Sequence, residues 1–176
     1  GAQVGGEMGR SVCIDGDYIA VAEPSRDVSS YTDQGEVHIY KRSGNTWPHH
    51  QTLGAAQTTG QWVYFGSNLA CEGGRMLVTE DQFGGRMHYY QLVTTTWTFR
   101  SSKSHSGIEN RYGGRFVIKG TKAATSTVNE RVLYMSLSGT TWNDVFNYNT
   151  GDKMNLYAFD MDITNDIMTT GDSSYN

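Results

Sequence analysis

A single segment recurs down this chain without gaps, and that repetition limits what it can fold into more than any other feature. Met8-Gly9-Arg10-Ser11-Val12-Cys13-Ile14-Asp15-Gly16, continuing to Val21, aligns with Phe65-Gly66-Ser67-Asn68-Leu69-Ala70-Cys71-Glu72-Gly73, continuing to Val78. A third copy runs from Tyr112 through Phe116-Val117-Ile118-Lys119-Gly120, and a degenerate fourth from Tyr157 through Asp160-Met161-Asp162-Ile163-Thr164-Asn165 to Met168. The turn glycine recurs at Gly16, Gly73 and Gly120, with Asn165 in the fourth copy. Asn is the usual substitute for Gly at positive φ, so that exchange supports the alignment.

A second block follows in each full copy. Val37-His38-Ile39-Tyr40 aligns with Met87-His88-Tyr89-Tyr90 and with Val132-Leu133-Tyr134-Met135, and Trp47, Trp97 and Trp142 each stand ten residues after the first member. Each unit therefore holds two hairpins. The first turns at Asp15-Gly16, Glu72-Gly73, Lys119-Gly120 or Thr164-Asn165, and the second at Ser43-Gly44-Asn45, Thr94-Thr95 or Ser138-Gly139-Thr140. Four short strands in about 45 to 57 residues match a propeller blade, and no stretch has the apolar spacing of a helix. The expectation is an all-β fold: a single partial β-propeller over 1–176 with four-stranded antiparallel blades in about three and a half repeats, at 8–64, 65–111, 112–156 and an incomplete 157–176.

The run of an aromatic or Met before Gly, then Ser-Val, Gly-Asp, Ile-Ala-Val-Ala-Glu-Pro, Gly-x-Val-x-Ile-Tyr and Gly-x-x-Trp resembles the FG-GAP repeats of integrin α-subunit propellers and related surface proteins. Gly9 to Leu53 matches best. Thr79-Glu80-Asp81, Thr125-Ser126 and Thr170-Gly171 depart from the family's Gly-Ala-Pro-like end. The resemblance implies a propeller, and it raises the calcium loops that integrin-like repeats often carry. An oxygen cage needs several ligands on one extended loop, whereas the matching connections here are two-residue turns, so no metal is expected. Asp160, Asp162 and Asp166 have ligand-like spacing, yet the alignment places Asp160 and Asp162 on a strand. His38 and His88 recur at one repeat position, but the third unit has Leu133 there and a third ligand is missing, so they read as ordinary strand side chains.

Composition narrows the function classes. The formal charge of -4 comes from scattered acids, so no basic stripe offers itself to nucleic acid. No stretch approaches the roughly 18 apolar residues of a membrane span, and the start at Gly1 without a leader reads as a processed product or a piece of a longer chain. No Gly-x-Ser-x-Gly elbow, His-Glu-x-x-His or phosphate loop appears, so no catalytic residue, cofactor or enzymatic activity is expected. Cys13 and Cys71 stand one position out of register on the first strands of adjacent units. A bridge between them is conceivable, but stacked sheets lie about 10 Å apart and a disulfide needs its Cα atoms within about 7 Å. Two free, buried thiols are expected.

The connection between the second and third strands shrinks from 14 positions (Glu23 to Val37) to 7 (Glu80 to Met87) and 5 (Thr127 to Val132). The long first loop is polar, so Arg26, Tyr31 and Asp33 are candidate partner-binding residues. Trp62 and Tyr64 lie outside the repeated positions and join them. The recurring tryptophans read as covers over the gap between blades. Three full units and one further hairpin fall short of the roughly seven blades of related propellers, so the array is expected to be completed by other protein chains or by the remainder of its own. The expected role is a structural or binding module of an extracellular, cell-surface or virion assembly. The alternative is an adhesin or lectin-like domain that takes a receptor or glycan through its loops.

Overall fold

The structure, a computed structural model, describes residues 3–55, 59–81, 85–104, 116–127, 131–149, 160–164 and 167–171. Among them every regular element is a strand and none is a helix. The first sheet contains β1 (Val12–Asp15), β2 (Tyr18–Glu23), β3 (Glu36–Lys41) and β4 (His49–Leu53) in sequential order. The second holds β5 (Leu69–Glu72), β6 (Arg75–Thr79), β7 (Arg86–Val93) and β8 (Thr96–Ser104). The third holds β9 (Phe116–Lys119), β10 (Lys122–Thr127), β11 (Arg131–Ser138) and β12 (Thr141–Asn149), and β13 (Asp160–Thr164) pairs with β14 (Ile167–Gly171). All pairings are antiparallel. An all-β chain of three four-stranded antiparallel sheets is thus what the strand and turn signals specify.

The turns form where the sequence places them. Gly16, Gly73 and Gly120 have φ of 56°, 59° and 57°, a region a Cβ penalises. Repetition extends to a defect that residue identity does not announce. Between the third and fourth strands the register slips at Ile39/Tyr40, at Tyr89/Tyr90 and at Tyr134/Met135. These are equivalent positions in the three units. A bulge at one place in each four-stranded sheet bends each outer strand alike.

Two cores lie between the sheets. Tyr18, Ala20, Ala22, Val37, Ile39 and Leu53 of the first sheet meet Leu69, Met76, Val78, Tyr90 and Trp97 of the second. Ala70, Leu77, Met87 and Tyr89 of the second then meet Phe116, Ile118, Ala123, Leu133, Met135 and Trp142 of the third. The strands β5, β6 and β7 of the second sheet thus split their residues between two neighbours by period-2 alternation. Trp97 and Trp142 are 3% and 2% exposed, each in edge contact with a tyrosine of the preceding sheet, Tyr18 and Tyr89. They cover the gap between sheets, as expected.

The cysteine expectation fails. Cys13 and Cys71 form a disulfide with Cα atoms 5.9 Å apart. The spacing of about 10 Å is a mean over stacked faces, and here the first strands converge. Leu69 N–H donates to Ser11 Oγ at 2.9 Å, and Gly73 and Gly74 N–H donate to the two oxygens of Asp15 at 3.1 and 2.6 Å. With β1 and β5 stitched this closely, the one-position offset puts the two sulfurs in the same gap.

The long loop after β2 is packed down. Gly35 N–H bonds to Arg26 O, while Trp62, Tyr64 and Phe65 N–H bond to Thr32, Asp33 and Gln34 O. Gly35 has φ +83°, and a Cβ there would lie 2.3 Å from Phe65 O and 2.8 Å from Pro24 O, both backbone atoms that cannot swing aside. Gly35→Ala is expected to cost about 2 kcal/mol or more, with urea denaturation of the two proteins as the check. An equal midpoint would show that the loop does not pack against residues 62–65.

Candidate interaction surface

The second and third sheets each cover one face against the sheet before. The first sheet presents the same face with no sheet against it among the described residues. Its two rows follow from the pairing register: Val12, Val21, His38 and Thr52 in one, Ile14, Ile19, Tyr40 and His49 in the other. The matching rows of the second sheet are Leu69, Val78, His88 and Ser102, then Cys71, Met76, Tyr90 and Phe99. Leu69, Met76, Val78, His88 and Tyr90 are buried, Met76, Val78 and His88 completely. Val12 and Ile14 are 60% and 63% exposed. Alternating inner strands that are apolar on both faces belong to a sheet covered on both sides, and here one cover is missing.

A buried carboxylate anchors the upper part of this face. Glu23 is fully buried and accepts from Gln3 N–H at 2.5 Å, Arg26 Nη1 at 2.9 Å and His38 Nε2 at 3.0 Å. Burial pushes its carboxyl up, but the Gln3 amide, His38 and Arg26 together outweigh that and hold it below the ordinary value. Arg26 also reaches Glu36 at 2.8 Å. Below this network lies a cavity of about 380 Å³ lined by Met8, Arg26, Glu36, His38, Tyr40, His49 and Thr52.

The second sheet repeats the pair. His88 Nε2 lies 2.5 Å from Glu80 Oε1, with His88 wholly enclosed and packed on Phe65 and Phe99. Sequence reasoning treated these histidines as ordinary strand residues and missed their partners. The signal was present: Glu23 and His38 recur as Glu80 and His88, and both change together to Thr127 and Leu133 in the third unit. Among the described residues no cluster of three His, Cys, Asp or Glu has a geometry fit for a metal ion.

The five candidate partner-binding residues separate. Arg26 belongs to the open face, held in its ion pairs. Asp33 and Tyr64 lie elsewhere, joined by a Tyr64 hydroxyl bond to Asp33 Oδ2 at 3.3 Å, in a polar cleft with Glu7, Arg10, Ser25, Ser67 and Asp81. Burial, and after it the charge and hydrogen bond of Asp33, raises the Tyr64 phenol above its ordinary value. Tyr31 and Trp62 are 38% and 57% exposed beside that end of the molecule. Glu7, Ser29, Asp33, Trp62 and Tyr64 all have φ between 52° and 58°, an uncommon conformation for residues with a Cβ. Of the fourth copy, Asp160 and Asp162 do lie on a strand, β13, and Asp166 falls outside the described residues.

No protein-family model and no curated protein sequence matches the chain. Among solved structures, a europium-containing methanol dehydrogenase, a β-propeller-type protein, shares its fold with a TM-score of 0.55 over 81% of this chain and at 13% identity. The chain spans 25% of that protein's length. At this identity the likeness concerns the fold. It nevertheless corrects one expectation, since repeated antiparallel sheets without a recognisable catalytic motif were read as marking a chain that is not an enzyme, and the same arrangement of sheets stands in an enzyme.

Proposed function

We propose that this chain is a partial β-propeller of about three and a half blades, of FG-GAP type, that serves as a structural or binding module of a larger extracellular, cell-surface or virion assembly through protein–protein contact. The observation that carries the reading is the open face of the first sheet. Its Val12, Ile14, Ile19 and Val21 take the places that Leu69, Cys71, Met76 and Val78 hold under a neighbouring sheet. An apolar face built for a neighbour and left exposed marks an interaction site. The Cys13–Cys71 bridge supports an oxidising compartment.

Light scattering on the 176-residue chain tests this. Without its neighbour the chain is expected to associate open-endedly, more at higher concentration and without a discrete oligomer, and this association should vanish when Val12→Asp and Ile14→Asp are combined. A monodisperse monomer at high concentration that unfolds cooperatively would contradict the proposal. A second reading, a glycan- or receptor-binding domain, draws support from exposed Tyr31 and Trp62, each two residues along the chain from Asp33 and Tyr64 of the polar cleft. Stacking aromatics next to hydroxyl-bonding carboxylates suit a sugar, and a glycan array screened with the wild-type chain and with Trp62→Ala decides it.

A further inference from the structure

The inner turns of the sheets are joined by a relay of carboxylates. Asp15, the residue before the first turn glycine, accepts the amides of Gly73 and Gly74 in the next turn. Glu72, the residue before that turn, accepts Gly120 N–H of the following one, and also takes Lys119 Nζ at 3.0 Å. The Gly120 amide, against the effect of burial and with Lys119 assisting, holds the Glu72 carboxyl below its ordinary value. Successive backbone N–H groups in a tight turn make an anion seat, and a carboxylate in it forms charge-assisted bonds. Both interfaces between successive four-stranded sheets use the device, whereas where β9 meets β13 the position before the turn holds Lys119.

The first turn is the seat left over. Gly16 has φ +56°, a Cβ built on it would meet nothing within 4 Å, and no carboxylate reaches its amide among the described residues. The neighbouring Asp17 side chain is turned to Arg42, at 2.8 Å from Nε, so its charge is balanced.

We infer that the open face of the first sheet seats a β-blade of another polypeptide that carries Asp or Glu immediately before its inner turn, the carboxylate closing on the Gly16 and Asp17 amides. The inference rests on the open-face reading above and names its partner. A second copy of this chain does not meet the requirement. The two acids it has in that position, Asp15 and Glu72, are already engaged by the next turns of their own chain, and the other two residues there, Lys119 and Thr164, are not acids.

Disulfide trapping tests both the seat and the carboxylate. The probe is a cyclised hairpin peptide of residues 11–22, with its Cys13 thiol activated as a mixed disulfide. In the intact chain this hairpin is the one that covers Cys71 and Met76. Ile14 holds the place of Cys71, so the full chain carrying Ile14→Cys reproduces the Cys13–Cys71 relation. Val12→Cys is the control, because the two positions are similarly exposed, at 63% and 60%. Capture at position 14 is expected to be about tenfold faster than at position 12, and Asp15→Asn in the probe to slow it about tenfold, the worth of one charge-assisted hydrogen bond. Equal capture at both positions would remove the seat and the functional reading with it. Selective capture by Asp and Asn probes alike would leave the seat and overturn the carboxylate rule. A discrete closed oligomer of the chain alone, held through Val12 and Ile14, would put a second copy in the seat and overturn the choice of partner.

Discussion

Reduction of the Cys13–Cys71 bridge, or its removal by the paired Cys13→Ser and Cys71→Ser exchange, is expected to cost about 4 kcal/mol. The bridge closes a loop with a sequence separation of 58, and the chain-entropy cost of closing a loop of that size is of this order at 25 °C. Set against a domain stability of roughly 5–15 kcal/mol, that is a large share. The bridge also ties two sheets that otherwise meet only through side chains and a few amide contacts. Urea denaturation with and without reductant measures it. Coincident midpoints, with two thiols titratable in denaturant before any reductant is added, would show that the bridge does not form.

The Glu80–His88 pair is expected to have a comparable effect, but only when it is broken from one side. His88→Leu leaves the Glu80 carboxylate, in a residue 2% exposed, without its imidazole partner, and stranding a buried charge costs about 3–5 kcal/mol. Glu80→Thr leaves a fully enclosed ring with Nε2 unsatisfied beside an Nδ1 that already has no partner, a loss of about 2 kcal/mol. The third unit holds Thr127 and Leu133 in these places, so the combined Glu80→Thr, His88→Leu variant copies a solution the chain already uses. It is expected to recover about 2 kcal/mol or more over the sum of the single losses. A double-mutant cycle by denaturation reads the coupling directly. Additive losses would mean that the two side chains do not act as a pair.

Much of the architecture was legible because it is local. The turn glycines, the alternation along each strand and the tryptophan ten residues after Val37, Met87 and Val132 set the hairpins, and the hairpins set the sheets. The Glu–His pairs were legible in principle from their joint presence in two units and joint loss in the third. Features that depend on how sheets approach one another were not. Cys13 and Cys71 are assigned to faces by period-2 reasoning, but the gap between inner strands depends on the Asp15 and Ser11 bonds across it. Arg26 reads as a loop residue open to partners, and only the fold brings Glu23 and Glu36 around it. The packing of the long loop on residues 62–65 depends on the bare Cα of Gly35, whose need for close approach appears only with Phe65 beside it. The bulge shared by all three sheets leaves no consistent residue type behind: the extra residue is His50, Arg100 or Val145.

Hydroxyl-radical footprinting of the untouched chain, read residue by residue in a mass spectrometer, is the most direct test of sheets that stack in series with one face left open. Met8, Val12 and Ile14 are 38%, 60% and 63% exposed and should be oxidised, whereas Met76, Met87 and Met135, at 0%, 1% and 0%, should be protected until the chain unfolds. Oxidation of Met76 and Met135 at the rate of Met8 would mean that the sheets do not stack in this order, and protection of Val12 and Ile14 equal to that of Leu69 would mean that the first face is not open.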